Sequence, residues 1–190
     1  HDAPFAQQLH ARLADQSARL VAAMADTSGI SYLRTLRPAT PVLYPPDEEF
    51  EIGGSRVLRS SDDDEVALIG AGITVHEALR AADLLAEEGI AARVIDLYSI
   101  KPLDSETLLA AVEATGGRLV TVEDHWPEGG LGDAVLAALA DTEEPPRVVK
   151  LAVQGMPRSG KPAELLSAAG IDAEHIAAAA RRLVAAPAAR

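Results

Sequence analysis

The triplet Glu123-Asp124-His125 holds the side chains of this chain best able to do chemistry. It follows the β-branched run Val120-Thr121-Val122 and precedes Pro127 and the glycines 129, 130 and 132, ahead of an apolar helical stretch. A parallel α/β sheet presents polar groups in this way at the carboxyl end of a strand, where such sheets place their sites. Two carboxylates beside an imidazole could orient the ring and serve proton transfer. The same triplet could instead be a polar corner that seals a domain or subunit contact. That second reading is preferred, because structural networks gather ionisable groups in the same way.

Arg34 and Arg37 form a second candidate site, flanking the end of a short apolar run just before a Pro-rich stretch. Two guanidiniums so placed could grip a phosphate or carboxylate by paired hydrogen bonds, or be ordinary surface charge. Three further motifs are weaker. Gly70-Ala71-Gly72 with Asp96 on the next strand resembles a dinucleotide fingerprint, but Val75 stands where the third glycine belongs, so a tight turn needing small residues is preferred. Gly155 to Lys161 has P-loop spacing, yet Pro162 replaces the hydroxyl residue that binds magnesium and fits the first position of a helix instead. Arg158 and Lys161 there could still hold an anion or an acidic partner. Asp62-Asp63-Asp64 lacks the glycine and distal Glu of a calcium loop and reads as a solvated turn. The five histidines show no ligand spacing, which argues against a metal site, and His76 and His175 are expected on the surface.

The elements that position these groups read as alternating strands and helices. Residues 4–25 carry apolar side chains at helical spacing, and Ile30 to Leu33 reads as a short buried strand. Pro38, Pro41, Pro45 and Pro46 make a linker, with a domain boundary near residue 46. An edge strand or hairpin is expected over 50–57. Strands are then expected at 66–69, 92–96, 118–122 and 147–153. Helices are expected at 74–88, 104–114, 131–140 and 172–184. Thr74 and Glu77 are spaced as a capping box, and Asp104 and Asp172 as N-caps. Alternation of this kind implies parallel βαβ units: a three-layer α/β/α sandwich around a mostly parallel sheet of about five strands, one edge strand antiparallel.

Composition narrows the function classes. The 190 residues suit one full domain plus a smaller piece, and a hydrophobic fraction of 48% with 3% aromatics makes the core one of Ala, Val, Leu and Ile. A net charge of −12 disfavours nucleic acid and anionic membrane surfaces. With no cysteine, disulfides, thiol catalysis and Cys-based metal sites are excluded. No apolar run approaches the roughly 20 residues that span a bilayer, so a cytoplasmic protein is expected. A start at His1 rather than Met suggests a fragment or a processed product.

Five segments in order carry a family resemblance: Gly29–Pro38 (GISYLRTLRP), Ile69–Leu79 (IGAGITVHEAL), Val94–Asp104 (VIDLYSIKPLD), Thr121–Gly132 (TVEDHWPEGGLG) and Pro157–Leu166 (PRSGKPAELL). Together, from about residue 27 to 184, they resemble the C-terminal third of transketolase. The resemblance implies that residues 1–46 end the preceding pyrimidine-binding domain and that residues 47–190 form the transketolase C-terminal domain. It implies a homodimeric enzyme that moves a two-carbon ketol unit between sugar phosphates. That enzyme uses thiamine diphosphate and Mg2+, bound by domains outside this chain. No catalytic, cofactor or metal ligand is expected here, and the chain alone is expected to be inactive. Arg37, with Arg34 beside it, matches the family's substrate-phosphate arginine. The C-terminal domain packs at the dimer interface in that family, in keeping with a polar corner at 123–125. Two other readings stay open: a free-standing subunit or assembly module of a split thiamine diphosphate enzyme, and a small nucleotide-binding protein.

Overall fold

The computed structural model describes residues 15–36, 40–45 and 47–186. The chain divides into two compact units, residues 1–54 and 55–190. In the first, helix α1 covers Asp15–Ala25, so the part of the expected 4–25 helix before residue 15 lies outside the described residues. The Thr27 hydroxyl donates to the Ala23 carbonyl and Gly29 turns the chain with φ 104°. The strand expected at Ile30–Leu33 does not form. Ile30 and Tyr32 are 104% and 86% exposed, and among the described residues no strand pairs with this segment. Tyr44 and Phe50 meet edge to face, ring centroids 4.9 Å apart.

The second unit is a three-layer α/β/α sandwich. Its strands are β1 (Arg56–Arg59), β2 (Val66–Gly70), β3 (Ala92–Asp96), β4 (Arg118–Val122) and β5 (Arg147–Leu151), in the order β1-β3-β2-β4-β5. All neighbours are parallel except β1, which pairs antiparallel with β3 at the edge. The edge strand starts at Arg56 rather than Phe50, after Gly53 takes up φ 93°.

Period-two alternation divides the core between the two faces of the sheet. Val66, Leu68, Val94, Val120 and Val122 face helices α2 (Ile73–Glu87) and α6 (Ala173–Ala185). Ala67, Ile69, Ile95 and Leu119 face α3 (Ser105–Ala114) and α4 (Leu131–Ala138). Alanines 78, 81, 82, 177, 179 and 180 fill the contact of α2 with α6; their small side chains let the two backbones approach closely. Helix α5 (Pro162–Ala169) starts with proline at its first position, as the sequence indicates, and ends on Gly170 in the left-handed region.

Two N-caps form as expected: Asp104 accepts from Thr107 N–H at 3.0 Å and Asp172 from His175 N–H at 3.0 Å. The Thr74–Glu77 capping box does not form. Glu77, 4% exposed, accepts instead from the Ala173 N–H at 3.0 Å and pairs with Arg80. It therefore caps α6, a helix distant in sequence, because α6 lays its N-terminus against α2. The expected solvated turn at Asp62–Asp64 is also corrected. Asp62 and Asp63 are exposed, but Asp64 is 6% exposed and accepts from Ser61 N–H, Ser61 Oγ and Arg93 Nε at 3.1, 2.9 and 3.0 Å.

Candidate functional site

Strand β4 delivers Glu123 to the N-terminus of α4. The residue continues the face of Leu119 and Thr121, so its side chain falls on the α4 side of the sheet. There it is 5% exposed. Oε2 accepts from Leu131 N–H at 2.7 Å and Oε1 from Gly132 N–H at 3.1 Å. Helix α4 has no side-chain cap from its own N-cap residue, Gly130. The Glu123 carboxylate takes that role, satisfying two of the four N–H groups a helix start leaves open and setting a negative charge at the positive end of the dipole.

The glycines of this segment have separate causes. Gly129 holds φ 70°. A Cβ on Gly130 would lie 1.8 Å from Glu123 Oε2, and one on Gly132 would lie 2.6 Å from Lys150 Cε and 3.0 Å from Thr121 Oγ1. Lys150 reaches from β5 to the Pro127 carbonyl at 2.8 Å and pairs with Asp133, which also accepts from Gly129 N–H at 2.7 Å. The Lys150 hydrogen bond, with that from Gly129, holds the Asp133 carboxyl below its ordinary value of 3.8. The loop between β4 and α4 is thus fixed from the strand below and from the strand beside it.

The expected triplet is divided by this arrangement. Both Glu123 oxygens are engaged by the helix. His125 is exposed, and its Nδ1 meets the Trp126 carbonyl at 2.8 Å. Asp124 is half-buried. Trp126, the only tryptophan, is 48% exposed beside them. Glu123 is therefore an internal cap, while Asp124, His125 and Trp126 form the outer rim of the corner. Arg34 is exposed in the extended segment of the first unit, and Arg37 lies outside the described residues.

The strand order reverses between β2 and β4, where an open α/β sheet has its ligand crevice. Thr74 closes that crevice. Its hydroxyl accepts from Ala71 N–H at 3.1 Å and donates to the Val122 carbonyl at 2.9 Å, with the Ala71 carbonyl 3.0 Å away. A Cβ on Gly70 would lie 2.8 Å from that hydroxyl, and Gly72 takes φ 62° at the helix start. The glycines serve a tight turn, and Asp96 is 2% exposed. A buried acid cannot reach the ribose of a bound nucleotide, so nothing in this geometry supports the nucleotide-binding reading. The P-loop-like stretch is likewise an exposed loop leading into Pro162.

His76 corrects a further expectation. It is 9% exposed, not on the surface. Burial, then Arg80, lowers the pKa of its imidazole below the ordinary 6.5, and Glu77 opposes them. The sequence signal was its place on α2, between the buried Val75 and Ala78. His175 is half-exposed and pairs with Asp172, the cap of α6.

The second unit is thus a three-layer α/β domain with one antiparallel edge strand, and the Thr74 hydroxyl bridges its switch point. Residues 55–176 match the family model described as transketolase, C-terminal domain, and the chain belongs to that family. It is 52% identical over 161 residues to transketolase-like protein 1 of Bos taurus, covering 84% of this chain and 27% of that protein. Against transketolase of Homo sapiens it is 50% identical over 160 residues, covering 84% and 26%. The chain thus spans about a quarter of the length of these curated relatives. A solved structure described as a split gene transketolase, inactive beta4 tetramer, superposes with a TM-score of 0.83 at 38% identity, covering 90% of this chain and 55% of that one. A Pichia stipitis transketolase structure superposes at 0.54 with 20% identity and bears on the fold alone.

Proposed function

We propose that this chain is the C-terminal part of a transketolase, with residues 1–46 ending the pyrimidine-binding domain and residues 47–190 forming the C-terminal domain. The observation that carries the reading is the identity of about one half, sustained over 84% of the chain, to transketolases. The whole enzyme is then a cytoplasmic transferase that moves a two-carbon ketol unit between sugar phosphates. Its homodimer places Arg37 and Arg34 at the substrate phosphate. Asp124, His125 and Trp126 lie on the docking face that Glu123 supports from within.

Thiamine diphosphate and its divalent cation supply the carbanion chemistry of that reaction. The described residues of this chain do not fit them. Among the described residues no three His, Asp or Glu side chains could hold a metal ion, and the Thr74 hydroxyl at the strand-switch point is tied to the Val122 carbonyl. We assign cofactor binding to other parts of the enzyme and no catalytic step to this chain. Among the described residues no helix is long and apolar enough to cross a membrane.

A second reading, a separate subunit of a split enzyme, is favoured by the likeness to the split-gene transketolase tetramer. The test supplies this chain with thiamine diphosphate, Mg2+, a ketose phosphate donor and an aldose phosphate acceptor. No ketol transfer is expected until a chain carrying the cofactor-binding domains is added; transfer by this chain alone refutes both readings. The mass of the native polypeptide in its source cells separates them. A mass several times 19.9 kDa supports the first and one near 19.9 kDa the second.

A further inference from the structure

Every residue from 154 to 164 is exposed, between the end of β5 and the first turn of α5. Helix α5 itself has no buried residue. Within this segment stands Met156, 90% exposed, between Gly155 at φ 78° and Pro157. The chain has no cysteine and only two methionines. The other, Met24, is half-buried on α1. A thioether has no proton to lose, so its reactivity toward peroxide is governed by access to the sulfur rather than by ionisation.

We infer that Met156 is the oxidation site of this chain, a residue that hydrogen peroxide or an organic hydroperoxide converts to methionine sulfoxide. A sulfur lone pair attacks the terminal peroxide oxygen. The S–O bond forms as the O–O bond breaks; sulfur loses two electrons and the peroxide gains them. The displaced hydroxide or alkoxide takes the remaining proton and leaves as water or alcohol. The product is polar and chiral, and such a change disrupts structure when it falls in a core. Met156 packs into none, so the fold survives. The sulfoxide can be returned to methionine by a dithiol-dependent reductase, which makes the modification reversible.

The test treats the whole chain with hydrogen peroxide at neutral pH and follows both methionine-containing peptides by mass spectrometry. Met156 is expected to take up one oxygen several-fold faster than Met24, with the thermal midpoint unchanged at full conversion. In Met156→Leu only the slow phase remains, and in Met24→Leu the fast phase persists. Oxidation of Met24 first, or at the same rate, overturns the assignment. So does a fall of the thermal midpoint that tracks Met156 conversion.

Discussion

Replacing Glu123 tests whether one carboxylate organises the corner between β4 and α4. Glu123→Ala leaves the N–H groups of Leu131 and Gly132 without the acceptor that holds them at 2.7 and 3.1 Å. Hydrogen bonds to a charged group contribute about 1.5–3 kcal/mol each, and water entering the vacated site offsets part of the loss, so the net cost is about 3 kcal/mol. Glu123→Gln keeps one acceptor but faces the second N–H with an amide donor and loses the charge at the helix dipole, a cost of about 1–2 kcal/mol. At about 2–4 °C per kcal/mol for a chain of this size, the Ala variant melts about 6–12 °C lower. Gly130 supplies the decisive control. Its φ of −93° and ψ of −160° suit any residue, so Gly130→Ala is costly only because the new Cβ falls 1.8 Å from Glu123 Oε2. Overpacking of that kind costs about 1–3 kcal/mol. In the Glu123→Ala background the obstacle is gone, and the double variant is expected to be more stable than the sum of the singles by about 1–2 kcal/mol. Urea unfolding read by Trp126 fluorescence measures all four proteins next to the altered site. Costs that add within about 0.5 kcal/mol, or a Glu123→Ala variant as stable as the parent, refute the reasoning. Should the Ala variant fail to fold, the cycle is run with Glu123→Ser, which also removes the atoms the new Cβ would meet.

Asp64→Ala strands the Arg93 guanidinium, whose side chain is 17% exposed, and should cost about 3–5 kcal/mol by urea unfolding. Thr121→Val should be neutral or stabilising by up to about 1 kcal/mol, because its buried hydroxyl has no hydrogen-bond partner among the described residues; a loss of stability by calorimetry would show a partner. His76 gives a pH signature. Its folded pKa lies below the unfolded 6.5, so between these values the unfolded chain binds more protons, and stability falls as pH drops below about 6.5. His76→Gln should flatten that slope between about pH 7 and 5; an unchanged slope would place its source elsewhere. The Asp104 and Asp172 carboxyls act lower. Burial pushes them up, but hydrogen bonds from Thr107 and Ser55, and from His175, outweigh it. Their contribution is present above 3.8 and is lost as pH falls through the folded values.

The alternation from Val66 to Leu151 is legible because each strand is a short, mostly apolar run rich in β-branched residues and each helix is amphipathic. Local pattern assigns a side chain to its own segment, and at three positions a distant one claims it. Glu77 caps α6 rather than its own helix. Asp64 pairs with Arg93 on β3 rather than lying solvated with its acidic neighbours. Glu123 is held by the first N–H groups of α4 rather than by His125. Ile30 and Tyr32 show the converse, since apolar residues make a strand only where another strand accepts its hydrogen bonds.

The carboxyl end of this sheet is where an α/β domain ordinarily meets a ligand, and its own side chains occupy that end. Thr74 bridges the turn after β2 to the last carbonyl of β4, Asp104 caps α3 and is bound by Ser55 at 2.8 Å, and Glu123 caps α4. Each of these three side chains is already engaged from inside. A helix N-terminus closed by a resident carboxylate has its open N–H groups and its positive end already taken, so it holds a second anion less well than an open one. His125 and Trp126 are exposed beside the half-buried Asp124, and a polar and aromatic rim of this kind suits contact with another protein surface.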